Sequence, residues 1–166
     1  MKLSFSTKGW RNRSWEDFCR TANDLRFGGI ELHNIHNELF TAKDGAFHAH
    51  IAPATLRRLY EMKLEIPCID TIGDIAEKET EDLTVTELER CLEIASNLHI
   101  PFIRLKASDA GSEEKNAAAI ERIAGLLDTL LPVAEEKGIT LLIETFGLFC
   151  RAETLRTLLE RFACDS

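Results

Sequence analysis

Five short strand-like runs alternate along this chain with stretches whose apolar residues recur at helical spacing. The runs cover residues 2–7, 29–35, 64–71, 102–107 and 139–144. A helix stands between each pair, and another follows the last run. Strict βα alternation of this kind commits a chain to a mainly parallel sheet with helical crossovers. Ser14 is placed to cap the first helix, with Asp17 answering it. Trp15, Phe18, Cys19, Ala22 and Leu25 make its apolar stripe, and Gly28 and Gly29 close it. Residues 36–52 have no period and read as a long loop. Pro53 suits the first turn of the next helix, which carries Leu56, Leu59, Tyr60 and Met62. The acidic stretch 77–82 reads as a solvated loop. Thr84 and Glu87 have the spacing of a second capping box, before a stripe of Val85, Leu88, Cys91, Leu92, Ala95 and Leu98. Ser112 caps a long helix that reaches Lys137 and stops at Gly138, with a kink or break expected near Leu131 because Pro132 lacks an amide hydrogen. Leu155, Leu158, Leu159 and Phe162 mark a last helix.

Two architectures share this alternation. One is a small doubly wound sheet with helices on both faces. The other is an α/β partial (β/α)8 TIM barrel of about five βα units, in which right-handed crossovers lay every helix on one side. No run is followed by a glycine-rich phosphate loop, which removes the main sign of a nucleotide fold. Polar residues gather at the run C-termini: Ser6, Thr7, His33, Asp70, Lys106 and Glu144. Both architectures put sites at strand ends, but a barrel brings them around one axis, which leans toward the partial barrel, a single domain over residues 1–166, while periodicity alone leaves the two open.

At 166 residues and 45% hydrophobic the chain suits one compact domain, and a net charge of -8 argues against a nucleic-acid partner, whose phosphates draw Lys and Arg. No apolar stretch approaches the roughly 20 residues that cross a bilayer, and the N-terminus lacks the build of a signal peptide, so a cytoplasmic location is expected. The cysteines Cys19, Cys68, Cys91, Cys150 and Cys164 are odd in number, widely spaced and without a CxxC pair, which reads as free thiols. Cys150 is of interest for lying close to Glu144.

Glu144 ends the run Ile139-Thr140-Leu141-Leu142-Ile143-Glu144, where a parallel barrel keeps its chemistry. Alternation puts Thr140, Leu142 and Glu144 on one face. Glu144 is the candidate catalytic and metal-binding group, against the plainer reading of a salt-bridged glutamate. Glu31, His33, Asp70, Lys106 and Trp10 are candidate substrate-binding residues. Glu31 and Asp70 would otherwise be buried in ion pairs with Arg104 or Lys106, since a lone buried charge is costly. Arg104 has as its expected partner Glu31 or Glu144. Lys106, nearer the strand end, suits a phosphate or hydroxyl. Trp10 suits the apolar face of a sugar or a packing role. Phe146 and Phe149 would shield the site or wait for further strands. The pairs His33-x-x-His36 and His48-x-His50 match no standard metal motif, and His99 suits a helix C-terminus.

The opening Lys-Leu-Ser-Phe-Ser-Thr, the run Gly-Gly-Ile-Glu-Leu-His and above all residues 134–145, Ala-Glu-Glu-Lys-Gly-Ile-Thr-Leu-Leu-Ile-Glu-Thr, resemble the xylose isomerase-like barrels. That resemblance covers essentially the whole chain. It implies a barrel acting on a small-molecule sugar or sugar phosphate, as an isomerase or epimerase that moves a proton next to a carbonyl with a divalent metal ion (Mn, Mg, Co or Zn). Metal ligands in the family come from strands five to eight. Glu144 matches the first of them, and strands six to eight are expected to lie outside this chain, so one carboxylate would not hold the ion tightly. An inosose dehydratase-like lyase is the nearest alternative. The endonuclease IV branch shares the fold but needs a basic DNA surface. A last alternative is a non-catalytic fragment, a homo-oligomer formed through open sheet edges, which invite pairing.

Overall fold

The computed structural model describes residues 2–10 and 13–162. Cys164 and Arg11 lie outside these residues. The strands are β1 (Ser4–Ser6), β2 (Gly29–His33), β3 (Cys68–Asp74), β4 (Phe102–Lys106) and β5 (Thr140–Ile143). The helices are α1 (Trp15–Asp24), α2 (Glu38–Thr41), α3 (Ala52–Glu61), α4 (Glu81–Leu98), α5 (Glu113–Glu136) and α6 (Ala152–Phe162). All neighbouring strands pair in parallel, in the order β1-β2-β3-β4-β5. A doubly wound sheet reverses its strand order partway, and this one never does. With crossovers of one hand, an unreversed order puts the helices on one face and leaves the other as the inner wall of a partial TIM barrel. Among the described residues no helix is long and apolar enough to cross a membrane.

Side-chain burial follows the two faces. Ile30, Leu32, Ile69, Ile103 and Leu105 point under the helices and are fully buried with Ala22, Leu88, Leu92, Ala95, Ile123 and Leu127. Glu31, His33, Asp70, Arg104 and Lys106 alternate with them on the inner face. Ile72, Phe102 and Leu142 share that face and stay 37–40% exposed.

Ser14 and Asp17 form the expected capping box, Ser112 caps α5, and Pro53 sits in the first turn of α3. Gly138 takes φ +65° just past α5. Other boundaries differ from the sequence expectation. The loop after β2 contains the short helix α2, capped by Asn37. β3 begins and ends later than residues 64–71. α5 runs unbroken through Pro132, which lies on its exposed side, where water can serve the carbonyl that loses its amide partner. α1 is closed not by Gly28 but by Arg26, at φ +56°, with Phe27 N–H bonding back to the carbonyl of Ala22. Phe149 is core rather than site, while Phe146 is exposed.

The proposed capping box at Thr84 and Glu87 is also corrected. α4 starts a turn earlier, with Thr80 at its N-cap. Glu87 instead points into the sheet, and the reason lies in β3. Asp70 pairs with Arg104 and Asp74 with Lys106, so four steps along β3 match two along β4. The surplus forms a bulge whose amides leave the ladder. The buried Glu87 carboxylate accepts two of them, from Ile72 N–H at 2.9 Å and Gly73 N–H at 2.7 Å. A Cβ at residue 73 would stand 2.8 Å from Glu87 Oε2, so only glycine permits the approach. The bulge delivers the Asp74 carboxylate to the amides of Ala76 and Ser108 at 3.0–3.2 Å, tying the loops after β3 and β4 together.

Glu87→Ala is therefore expected to lower stability by about 3 kcal/mol, since it strands two amides that a charged acceptor had satisfied. Urea unfolding checks this, with Glu89→Ala, on the exposed side of the same helix, as a control expected to change stability little.

Candidate functional site

The inner face carries a charged network built across three strands. Arg104 on β4 reaches Asp70 Oδ1 through Nε at 3.2 Å and Nη2 at 3.1 Å, and the same Nη2 lies 3.0 Å from Glu31 Oε1 on β2. The other oxygen of Asp70, Oδ2, meets His33 Nδ1 at 2.7 Å and Lys8 Nζ at 3.4 Å. Asp70 is only 1% exposed. Burial by itself would raise its pKa, but the His33 hydrogen bond and the charges of Arg104 and Lys8 overcome that and bring it down from 3.8 to about 2. Burial likewise works against the charge of Arg104, and the carboxylates of Asp70 and Glu31 raise its pKa nonetheless. Cys68, one layer deeper on β3, has its thiol pushed up to about 12, first by burial and then by Glu31. It is an inert thiol.

Local chain geometry fixes His33 at the strand end. Its amide donates to Thr7 Oγ1 at 2.9 Å, and its carbonyl accepts from Asn37 Nδ2 at 2.9 Å. Asn34 then turns the chain away at φ +64°, a conformation asparagine tolerates. Thr7 and Lys8, in the turn after β1, and Asn37 are contributors that the sequence reading did not assign to the site. Their only signal was position just beyond a strand end.

Glu144 follows β5 directly, and its amide donates to the carbonyl of Leu105 at 2.9 Å, so it continues the β4–β5 register in which Arg104 faces Leu142. That register makes Lys106 and Glu144 neighbours on adjacent strands. Glu144 is half-buried and close enough to raise the pKa of Arg104, yet the ion pairs of Arg104 go to Asp70 and Glu31. Among the described residues neither Glu144 nor Lys106 has an ion-pair partner. The network and the free pair thus stand side by side at the C-terminal ends of the strands.

A cleft of about 900 Å3 opens between the loops after β1 and β2, lined in part by Lys8, Trp10, His33, Asn34 and Asn37. Trp10 is 39% exposed there, with its ring 5.7 Å from that of Phe5. The remaining histidines do not join His33. His36 is exposed, His48 packs near His50 with ring centroids 5.4 Å apart, and His99 caps α4 at φ +56°. Cys150 is exposed.

The donors were tested against a divalent ion. Among the described residues no three His, Cys, Asp or Glu side chains stand together as a metal site. Asp70 and Glu31 are engaged with Arg104, and Glu144 alone offers a free carboxylate, whereas hard divalent ions take about six or more oxygen ligands. These residues do not make a metal site by themselves.

The depressed Asp70 pKa has a consequence for stability. A carboxylate whose folded pKa lies below its unfolded value stabilises the fold at pH values above the unfolded one, and the contribution fades as pH falls through the folded one. For a shift from 3.8 to about 2 this is roughly 2 kcal/mol, present above about pH 4 and lost toward pH 2. Asp70→Asn is expected to flatten the pH dependence of urea unfolding in that window; parallel profiles for the two proteins would contradict it.

The chain spans about 60% of the length of the solved structures described here, and each is below 25% identical, which speaks to fold. A probable 3-DHS dehydratase, AsbF, of Bacillus anthracis is 22% identical, covering 99% of this chain and 60% of that one with a TM-score of 0.78. The IolI protein with a bound zinc atom is 13% identical at the same coverages and a TM-score of 0.78. A D-tagatose 3-epimerase-like protein is 14% identical, covering 100% of this chain and 62% of its own with a TM-score of 0.71. No functionally curated protein matches the sequence. The family model for the xylose isomerase-like TIM barrel matches residues 19–166. With its unreversed five-strand wall and its polar groups at the strand C-termini, the chain belongs to the xylose isomerase-like TIM barrel family.

Proposed function

We propose that this chain forms five of the eight units of a barrel enzyme that isomerises or epimerises a sugar or sugar phosphate by moving a proton next to a carbonyl. The observation that carries this reading is Glu144, a half-buried carboxylate at a strand C-terminus that makes no ion pair with a cation of the described residues. A free carboxylate in that position accepts a proton from carbon and returns it. Lys106, its unpaired neighbour, attracts the substrate's hydroxyl or phosphate oxygens. Arg104, Asp70 and Glu31 hold the wall on which both are mounted. Trp10 offers an aromatic face to the C–H side of a sugar in the adjoining cleft. In a complete barrel Glu144 supplies one ligand to a divalent ion, Mn, Mg, Co or Zn, whose other donors lie outside the described residues. The dehydratase likeness keeps a lyase of the inosose dehydratase kind as the neighbouring reading, since elimination next to a carbonyl begins with the same proton abstraction.

D-tagatose in deuterated water, with Mn2+, Mg2+, Co2+ or Zn2+ added, provides the test. The chain carried within its complete eight-unit barrel is expected to exchange a carbon-bound hydrogen next to the carbonyl, seen as loss of its proton NMR signal. Glu144→Gln is expected to slow that exchange by about 100-fold with the circular dichroism spectrum unchanged. Absence of exchange in the wild type, or full exchange in the variant, overturns the assignment.

A second reading, a non-catalytic fragment that self-associates, is favoured by the exposed inner-face side chains Ile72, Phe102 and Leu142. It predicts a dimer or larger species in sedimentation equilibrium at high concentration. A monomer throughout removes it.

A further inference from the structure

The reaction proposed above requires protons on oxygen as well as on carbon. Turning a hydroxy ketone into its enediol and back takes a proton from a hydroxyl and gives one to a carbonyl oxygen. Epimerisation needs the carbonyl oxygen protonated while the carbon is planar, and dehydration needs a proton on the departing hydroxyl. Glu144 is occupied at carbon in this scheme, so a second group is required.

We infer that His33, oriented by Asp70, is the group that carries the oxygen-side proton. Three observations support it. First, the ring is fixed: Nδ1 lies 2.7 Å from Asp70 Oδ2, and both backbone polar groups of His33 are held, by Thr7 and Asn37. An ionised carboxylate can only accept, so Nδ1 carries a hydrogen, and the neutral ring in that tautomer has its lone pair at Nε2. Second, among the described residues Nε2 has no hydrogen-bond partner, and the His33 side chain is 23% exposed. Third, the ring borders the cleft of about 900 Å3 beside Trp10, Asn34 and Asn37, which has room for a sugar-sized ligand.

The step balances without a further reagent. Nε2 takes the proton from a substrate hydroxyl, and the O–H electron pair stays on oxygen. The imidazolium so formed is stabilised by Asp70, which keeps its own charge because Arg104 and Lys8 also face it. The same proton then passes from Nε2 to the neighbouring substrate oxygen, returning the ring to its starting tautomer. Asp70 is a positioning residue in this scheme and does not touch substrate. Notably, its two oxygens divide the work: Oδ1 accepts from Arg104, and Oδ2 is left for the ring.

The inference rests on the proposed carbonyl chemistry, and its test separates the two. The first measurement needs no variant: a long-range 15N–1H spectrum of the full chain, labelled at histidine, near neutral pH. His33 is expected to show a protonated Nδ1 and an unprotonated Nε2, and Asp70→Asn is expected to abolish that preference. A protonated Nε2 in the wild type overturns the inference. The second is deuterium exchange into D-tagatose. His33→Gln is expected to slow it by about 100-fold with the fold intact by circular dichroism. Full exchange in His33→Gln overturns the inference and leaves the Glu144 assignment standing. Full exchange in Glu144→Gln, with loss in His33→Gln, does the reverse.

Discussion

Arg104 holds together what would otherwise repel. β2 and β3 each place a carboxylate on the inner wall, at Glu31 and Asp70, and Asp70 is almost wholly removed from water. A single guanidinium on β4 contacts both at 3.0–3.2 Å. Its planar fork can address two acceptors at once, which the point charge of a lysine does less well. Taking Arg104 away would leave Glu31 without an ion-pair partner among the described residues and Asp70 with only His33 and Lys8, at a cost in stability. The arginine therefore stabilises three adjacent strands, and it also dictates direction. Because it takes Oδ1 of Asp70, the second oxygen is left facing the strand ends, where His33 and Lys8 lie.

The β3 bulge performs a comparable task one level higher. Without it, β3 and β4 would end flush, and Asp74 would not reach past Lys106 to the amide of Ser108. The surplus residues cost two ladder hydrogen bonds, and Glu87 restores both from the helix side. A helix residue thus sets the end of a strand, and the strand end sets the loops. Gly147 does similar work after β5. At φ +52°, with the Ala107 carbonyl only 2.4 Å from where a Cβ would be, it lets the chain fold down so that Leu148 N–H bonds that same carbonyl.

How much of this could be read from the sequence depends on how local each determinant is. The βα alternation, the caps at Ser14 and Ser112, and the inner-face set Glu31, His33, Asp70, Arg104 and Lys106 follow from periodicities of two and 3.6 residues, and all were legible. The pairing of Arg104 was legible only in part: Glu31 was one of its two expected partners, but the other place is taken by Asp70 and not by Glu144. The helix ends at Arg26 and Lys63 were not, since both take positive φ without being glycine, whereas His99 closes α4 as expected. Glu87 misled because its spacing from Thr84 imitates a cap, while its real partners, Ile72 and Gly73, are set by a register shift that no local pattern announces. The His33–Asp70 contact joins residues 37 positions apart. The sequence could put both at strand ends but could not show which oxygen met which nitrogen.

The inner wall therefore divides into two kinds of charge. Glu31, Asp70 and Arg104 are bonded to one another and, with Lys8 facing Asp70, form a floor of fixed geometry. Lys106 at the end of β4 and Glu144 just past β5 have no ion-pair partners among the described residues, although Arg104 lies close by. A protein that needed only stability would pair these two as well, since an unpaired charge at the rim contributes little to folding. On the reading proposed above, leaving them unpaired keeps a base and a cation available to a ligand. The paired groups have fixed geometry and the unpaired ones have free valence, and a proton-transfer site needs both: orientation from groups that are already satisfied, and reactivity from groups that are not.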